Sequence, residues 1–168
     1  LLDQNALAAQ GDIGLSSRLA PEQNCPPAQT ACRQAQDGGA PELADSFLDK
    51  LNLYVQMLGV PAPRPLSAAG RRGQQLFGQF GCSACHTPEQ RTGREVVVPL
   101  LGEQVFAPYS DLLLHDMGAG LADGLSDFAA SGSEWRTAPL WGVGLIPVTN
   151  EHAFYLHDGR ARGLAEAI

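Results

Sequence analysis

The residues best equipped for chemistry are four cysteines, which fall into two pairs, and four histidines. Cys82-Ser83-Ala84-Cys85-His86 places two thiols three positions apart with an imidazole directly after the second. Thiols at that spacing can add to the two vinyl groups of a haem as thioethers. The next residue then lies under the ring centre, where its imidazole reaches the iron. Small residues between the cysteines suit close contact with a porphyrin. On this reading the chain carries one haem c, tethered by Cys82 and Cys85, with His86 as an axial iron ligand. Three other readings compete. A thioredoxin-like redox pair wants a strand before the motif and a helix after it, the reverse of the order predicted here. A zinc site needs a second pair of ligands at suitable spacing, and the upstream cysteines are a poor one. A structural disulfide across the motif leaves His86 unexplained.

The other pair, Cys25 and Cys32, lies in the turn-rich run NCPPAQTAC with no histidine nearby. A local Cys25–Cys32 disulfide there would suit an oxidising compartment, and two free buried thiols are the alternative. The 168 residues can bury a respectable core, and no stretch approaches the roughly 20 apolar residues that span a bilayer. With 18 acidic against 11 basic side chains the net charge is −7, and there is no run of Lys or Arg. That balance argues against a nucleic-acid surface and would suit a basic docking partner. Nineteen glycines, twelve prolines and a single lysine, Lys50, suggest long ordered loops wrapped around something. The chain opens Leu1-Leu2-Asp3 without Met, basic n-region or apolar h-region, so any export signal is expected to have been removed or left out.

The elements that must position the motif can be read coarsely. Residues 1–40 are punctuated by Gly and Pro and are expected to be loop. An amphipathic helix is predicted over 41–58, with Pro41 at its first position and Leu43, Phe47, Leu51, Tyr54 and Leu58 on one face. Gly59 and Pro61 stop it, and 61–66 read as a stiff linker. Ser67 is placed to cap a second helix, AAGRRGQQLFGQF, which Gly81 ends just before the motif. Gly70 and Gly73 weaken that helix by about 1 kcal/mol each, a cost that points to close passage of another helix. Beyond His86 the chain is loop-rich until a last helix, RGLAEAI, which stops at Ile168 and reads as part of a longer protein.

Gly73 and Phe77 match the small residue and aromatic that precede the haem motif in small c-type cytochromes. Four blocks extend the likeness: GQQLFGQFGCSACHTP, PYSDLLLHDMGAGLAD, EWRTAPLWGVG and YLHDGRARGLAEAI. In that order, and with GDIGLSSRLAPEQNCPPAQTAC upstream, they resemble the C-terminal part of the bacterial di-haem oxidoreductases. These are also called thiol oxidoreductases and are relatives of the di-haem cytochrome c peroxidases. The resemblance implies two cytochrome-c-like domains with one haem each. It makes residues 1–60 the tail of a preceding sister domain and 67–168 a mostly α, cytochrome-c-like haem domain with long loops. It also implies a second haem in the intact protein, a periplasmic location, and electron transfer from a small redox protein or other donor. Peroxide would be a substrate of the whole protein, with this chain as its electron-receiving part.

Iron in such a site takes a sixth ligand, often Met. Candidates within the chain are Met57, Met117, His115, His152 and His157, of which Met57 is expected in the core. His115 and Met117, in LLLHDMG, lead. The peroxidase relatives place theirs just past the block resembling LHDGRARGLAEAI, beyond Ile168, so the resemblance implies that the sixth ligand is absent from these residues, with His115 and Met117 only the best candidates inside them. His157 is expected as a structural histidine within a tight turn, and His152 on the surface. Arg136, Arg160 and Arg162 could each fork onto a haem propionate, Arg136 foremost. Trp135 and Trp141 are expected to pack, Trp141 against the porphyrin or within the core. Two functional rivals remain at this point: a simple mono-haem electron carrier, and a non-haem structural or zinc-binding module built on the Cys-x-x-Cys pair.

Overall fold

A computed structural model describes residues 1–94, 96–127 and 129–168. The chain is 35% helical and 8% strand, so helix is the main regular structure and loop the commonest state. It divides into two compact units, Leu1–Gly59 and Val60–Ile168.

The first unit contains α1 (Leu2–Ile13), the short α2 (Thr30–Gln34) and α3 (Asp45–Gln56). The loop expected over residues 1–40 is therefore corrected at both helices. The α1 segment is rich in Ala and other helix formers and ends on Gly14, whose φ of 73° only glycine adopts easily. The Gly14 and Leu15 N–H groups bond back to Gln10 and Ala9 carbonyls, closing the helix end. In α2, Cys32 is joined to Cys25 by a disulfide, with Cα atoms 5.8 Å apart.

The helix expected from Pro41 starts four residues later, at Asp45. Tertiary bonds claim its first turn: Leu43 N–H donates to the Ser16 carbonyl at 3.0 Å, and Glu42 N–H donates to Ser16 Oγ at 3.1 Å. The Glu42 carboxylate in turn accepts from Ser16 N–H and Gly38 N–H, which holds it below its ordinary pKa. Ala44 is left extended as the N-cap. The buried stripe of α3 is also offset by one position from the expected face. Leu48 is fully buried, and Leu51, Asn52 and Val55 follow it at helical spacing, while Phe47, Tyr54 and Met57 are exposed. Leu48 and Ala6 form the centre of the packing between α3 and α1.

The second unit opens with residues 60–67 without regular structure, then α4 (Ala68–Gln79). Ser67 Oγ accepts from Gly70 N–H at 3.1 Å, the N-cap bond that the sequence implies. No helix crosses α4 at Gly73 among the described residues, where an added Cβ would meet nothing within 4 Å. At Gly70 the close neighbour is Leu66, 3.2 Å from such a Cβ. Two short antiparallel pairs follow, which the loop-rich reading did not anticipate. β1 (Gln90–Arg91) pairs with β2 (Val105–Phe106), and β3 (Leu114–Asp116) pairs with β4 (Glu134–Arg136), setting His115 opposite Trp135. α5 (Ile146–Thr149) and α6 (Leu164–Ala167) are single turns. Pro108, Ser110 and Ala161 are the fully or nearly fully buried residues of this unit among those described. Its apolar side chains are mostly left at the surface.

Candidate functional site

The motif hangs from the end of α4. Gly81 turns the chain with φ of 77°, and Cys82–Ala84 form one tight 3₁₀ turn. His86 N–H donates to the Cys82 carbonyl at 2.9 Å, so the two cysteines and the histidine share one turn of backbone. The thiols of Cys82 and Cys85 are both free and half-buried.

The His86 ring is held from a segment distant in sequence. Its Nδ1 lies 2.9 Å from the Tyr109 carbonyl. A carbonyl can only accept, so the proton sits on Nδ1 and the Nε2 lone pair is left for a metal. Nε2 has no hydrogen-bond partner among the described residues. Phe77 braces the arrangement, with ring centroids 6.4 Å from His86 and 5.7 Å, edge-on, from Tyr109.

The segment 109–111 is zipped onto the motif by backbone bonds. Ser110 N–H donates to the Thr87 carbonyl at 2.9 Å and Asp111 N–H to the Cys85 carbonyl at 2.8 Å. Ser110, fully buried, also donates from Oγ to the Thr137 carbonyl at 2.7 Å and accepts from Leu112 N–H at 2.9 Å. The segment bears left-handed residues that are not glycine: Tyr109 at φ 52° and Leu112 at φ 61°. Such conformations cost about 1 kcal/mol or more each, so the surrounding bonds must hold them.

Asp111 stands at the centre of a further group. Its Oδ1 accepts from Leu113 N–H at 3.0 Å and its Oδ2 lies 2.8 Å from His115 Nε2. The Leu113 N–H, followed by the His115 contact, lowers its pKa from 3.8 to about 2. A depressed carboxyl pKa stabilises the fold above the unfolded value, and that contribution is lost as pH falls from about 4 toward 2. Asp111→Asn should therefore make the fall in urea midpoint between pH 5 and pH 2 shallower than in the parent chain. A parallel profile for the two proteins would contradict this. Asp116, Glu134 and Asp158 are lowered as well, by N–H donors of Gly118, Ser131 and Arg160, so some acid sensitivity remains in the variant.

Comparison with known families gives one match, over residues 1–168, to the family described as "Di-haem oxidoreductase, putative peroxidase". The chain belongs to the di-haem oxidoreductase family. No curated protein and no solved structure matches it.

The geometry fits the group that this family's name implies. Two free thiols and an imidazole with an open Nε2 are the donor set that a tethered haem needs. Apolar surface lies beside them: Phe80, just before the motif, is 78% exposed, and Leu113, two residues past Asp111, is 60% exposed. Side chains of this kind, left uncovered beside the motif, suit the flat apolar face of a porphyrin.

The remaining sequence candidates of this di-haem oxidoreductase chain are distributed as follows. His115 is brought beside Cys85 with its Nε2 on Asp111. Met117, just past β3, is 51% exposed. Arg136 on β4 is exposed and without an ion-pair partner among the described residues. Arg160 is bound to Asp158 and the Gly120 carbonyl, and Arg162 lies 4.3 Å over the Phe154 ring. Trp141 packs against Phe106 at 6.0 Å and, with Pro61 and Pro63, lines a cavity of about 230 Å³. Trp135 donates from Nε1 to the Leu121 carbonyl and stacks on His157 at 3.8 Å, so the His157 ring is held by stacking. His152 stacks on Phe154 at 4.8 Å. Met57, expected in the core, is 45% exposed at the end of α3, because the helix buries the face centred on Leu48. Sequence reasoning missed Tyr109, Ser110 and Asp111. The one signal was the polar Ser-Asp pair set among PY and LLL.

Proposed function

We propose that residues 67–168 form a cytochrome-c-like domain holding one haem c, and that the chain transfers electrons as the electron-receiving part of a di-haem, peroxidase-like oxidoreductase. Residues 1–60 are read as the tail of the sister haem domain. The observation that carries the proposal is the bond from His86 Nδ1–H to the Tyr109 carbonyl, which presents Nε2 beside two free thiols. When bound, the haem supplies an iron that gains and loses one electron.

The protein's own residues do the rest. Cys82 and Cys85 tether, so the cofactor stays with the chain in either redox state. His86 is held by Tyr109 and Phe77 in one tautomer and one ring orientation, which keeps the iron ligand from reorganising when charge changes. Phe80, Leu112 and Leu113 supply apolar cover that excludes water, and Arg136 and Trp141 are assigned to the propionate and porphyrin margins. Of the sixth-ligand candidates inside the chain, Met117 is half exposed and His115 is engaged by Asp111.

The negative charge suits a basic redox donor, and the Cys25–Cys32 disulfide suits an exported, periplasmic chain. Among the described residues no helix is long and apolar enough to cross a membrane. The test is to produce the chain with haem-attachment machinery in a bacterial periplasm. One haem per chain should survive acid-acetone extraction, travel with the polypeptide in a denaturing gel, and be reduced and reoxidised reversibly. Colourless protein, or haem that extracts into the solvent, would overturn the proposal.

A further inference from the structure

We propose that Asp111, anchored by His115, holds a fixed negative charge against the Cys85 thioether and so lowers the midpoint potential of the haem attached there. The inference rests on the haem reading above, in which the Cys85 sulfur belongs to the tether. A carboxylate oxygen of Asp111, a ring nitrogen of His115 and the Cys85 sulfur all lie within 4.8 Å of one another. The three come from separate places: the motif turn, the segment zipped onto it, and β3. Backbone structure fixes their meeting. Asp111 N–H donates to the Cys85 carbonyl at 2.8 Å, and the pairing of β3 with β4 sets His115 in its place opposite Trp135. Because that sulfur is one end of the covalent link, the carboxylate stands beside the porphyrin edge in the haem-bearing protein.

The charge is held in place and is not cancelled. Asp111 Oδ1 accepts from Leu113 N–H at 3.0 Å, and Oδ2 lies 2.8 Å from His115 Nε2, which donates to it. These two bonds pin both oxygens. Among the described residues no arginine or lysine forms an ion pair with Asp111. The Leu113 N–H, with the His115 contact after it, keeps the carboxyl ionised at any neutral pH. The Asp111 side chain is 13% exposed, so water and salt reach it on few sides.

Ferric haem carries one positive charge more than ferrous haem. A fixed negative charge nearby favours the ferric state and makes the incoming electron harder to add. Two unit charges about 10 Å apart, at an effective dielectric of about 40, shift such an equilibrium by about 4-fold, and more at lower dielectric. His115 acts through position. By donating Nε2–H it keeps the carboxylate turned toward Cys85 without removing its charge.

The test uses the haem-bearing chain matured in a bacterial periplasm and titrated optically against applied potential. It is run at pH 8, above the ordinary imidazole range, so that a neutral ring leaves the carboxylate charge uncancelled. A pyridine haemochrome first counts covalent haem in every variant. At the potential where the parent is half reduced, Asp111→Asn should hold at least about 3-fold more ferrous than ferric haem. Asp111→Ser, which also removes the charge and leaves an oxygen for Leu113 N–H, should shift the same way. Asp111→Glu, which restores the charge, should bring the ratio back toward the parent's. His115→Gln, which keeps the carboxylate, should shift it less than Asp111→Asn. Fully haem-loaded Asp111→Asn and Asp111→Ser with the parent's potential would overturn the inference alone. So would equal shifts in Asp111→Asn and Asp111→Glu, because disturbance of the segment would then account for them. A parent chain without covalent haem would overturn the underlying haem reading and this inference with it.

Discussion

Replacing Cys82 and Cys85 together by serine is expected to take covalent haem from one per matured chain to none. A serine hydroxyl is far less nucleophilic than a thiol and forms no thioether with a vinyl group, while its size leaves the motif turn unstrained. The backbone bonds that build the turn, from His86 N–H to the Cys82 carbonyl and from Ala84 N–H to the Gly81 carbonyl, involve no cysteine side chain. The variant should therefore keep its fold and its Tyr109–His86 contact while losing the tether. Any haem it holds through His86 alone should pass into acid-acetone and dissociate in a denaturing gel. Single replacements should leave one thioether and a red-shifted reduced α band in the pyridine haemochrome, because one vinyl group stays unsaturated. Covalent haem retained by the double variant would place the attachment elsewhere and would remove Cys82 and Cys85 from the site.

Ser110→Ala should cost about 2–3 kcal/mol and lower the melting temperature of the haem-free chain by about 10 °C. The side chain is small, and the loss of volume is a minor part of the effect. Ser110 is fully buried, its Oγ donating to the Thr137 carbonyl and accepting from Leu112 N–H. Removing that oxygen leaves a part-buried carbonyl and a part-buried N–H without the partners they had, and water reaching them relieves only part of the desolvation cost. The loss falls on the segment that bears the left-handed Tyr109 and Leu112 and presents the carbonyl that orients His86. Denaturant unfolding of the variant beside the parent measures it directly. A difference below about 0.5 kcal/mol would mean that Ser110 does not clamp this segment. Ser110→Cys, with a larger and weaker hydrogen-bonding atom, should fall between the two.

What the sequence settles by itself is local. The Cys-x-x-Cys-His spacing, the Ser67 cap, the helix AAGRRGQQLFGQ and its end at Gly81 depend on residues within a turn or two of one another. Their hydrogen bonds close over short loops at little entropic cost, so residue types and spacing are enough to specify them. The chain's family was likewise legible, because long blocks in order carry more information than any single motif.

Tertiary structure decided the rest. The start of α3 lies at Asp45 and not at Pro41, because Glu42 and Leu43 are tied to Ser16, far upstream, in a non-helical conformation that leaves Ala44 extended as the N-cap. Its buried face shifted to Leu48 because α1, itself unforeseen, supplied the surface to pack on. Strands of two or three residues leave no readable period, and β3 exists only where β4 returns to pair with it. The tautomer of His86 depends on a carbonyl 23 residues away, which any residue at position 109 carries and no side chain advertises. The meeting of Cys85 with Asp111 and His115 has the same origin. It rests on one long-range backbone bond and one strand pairing, and a backbone amide leaves no mark on residue identity.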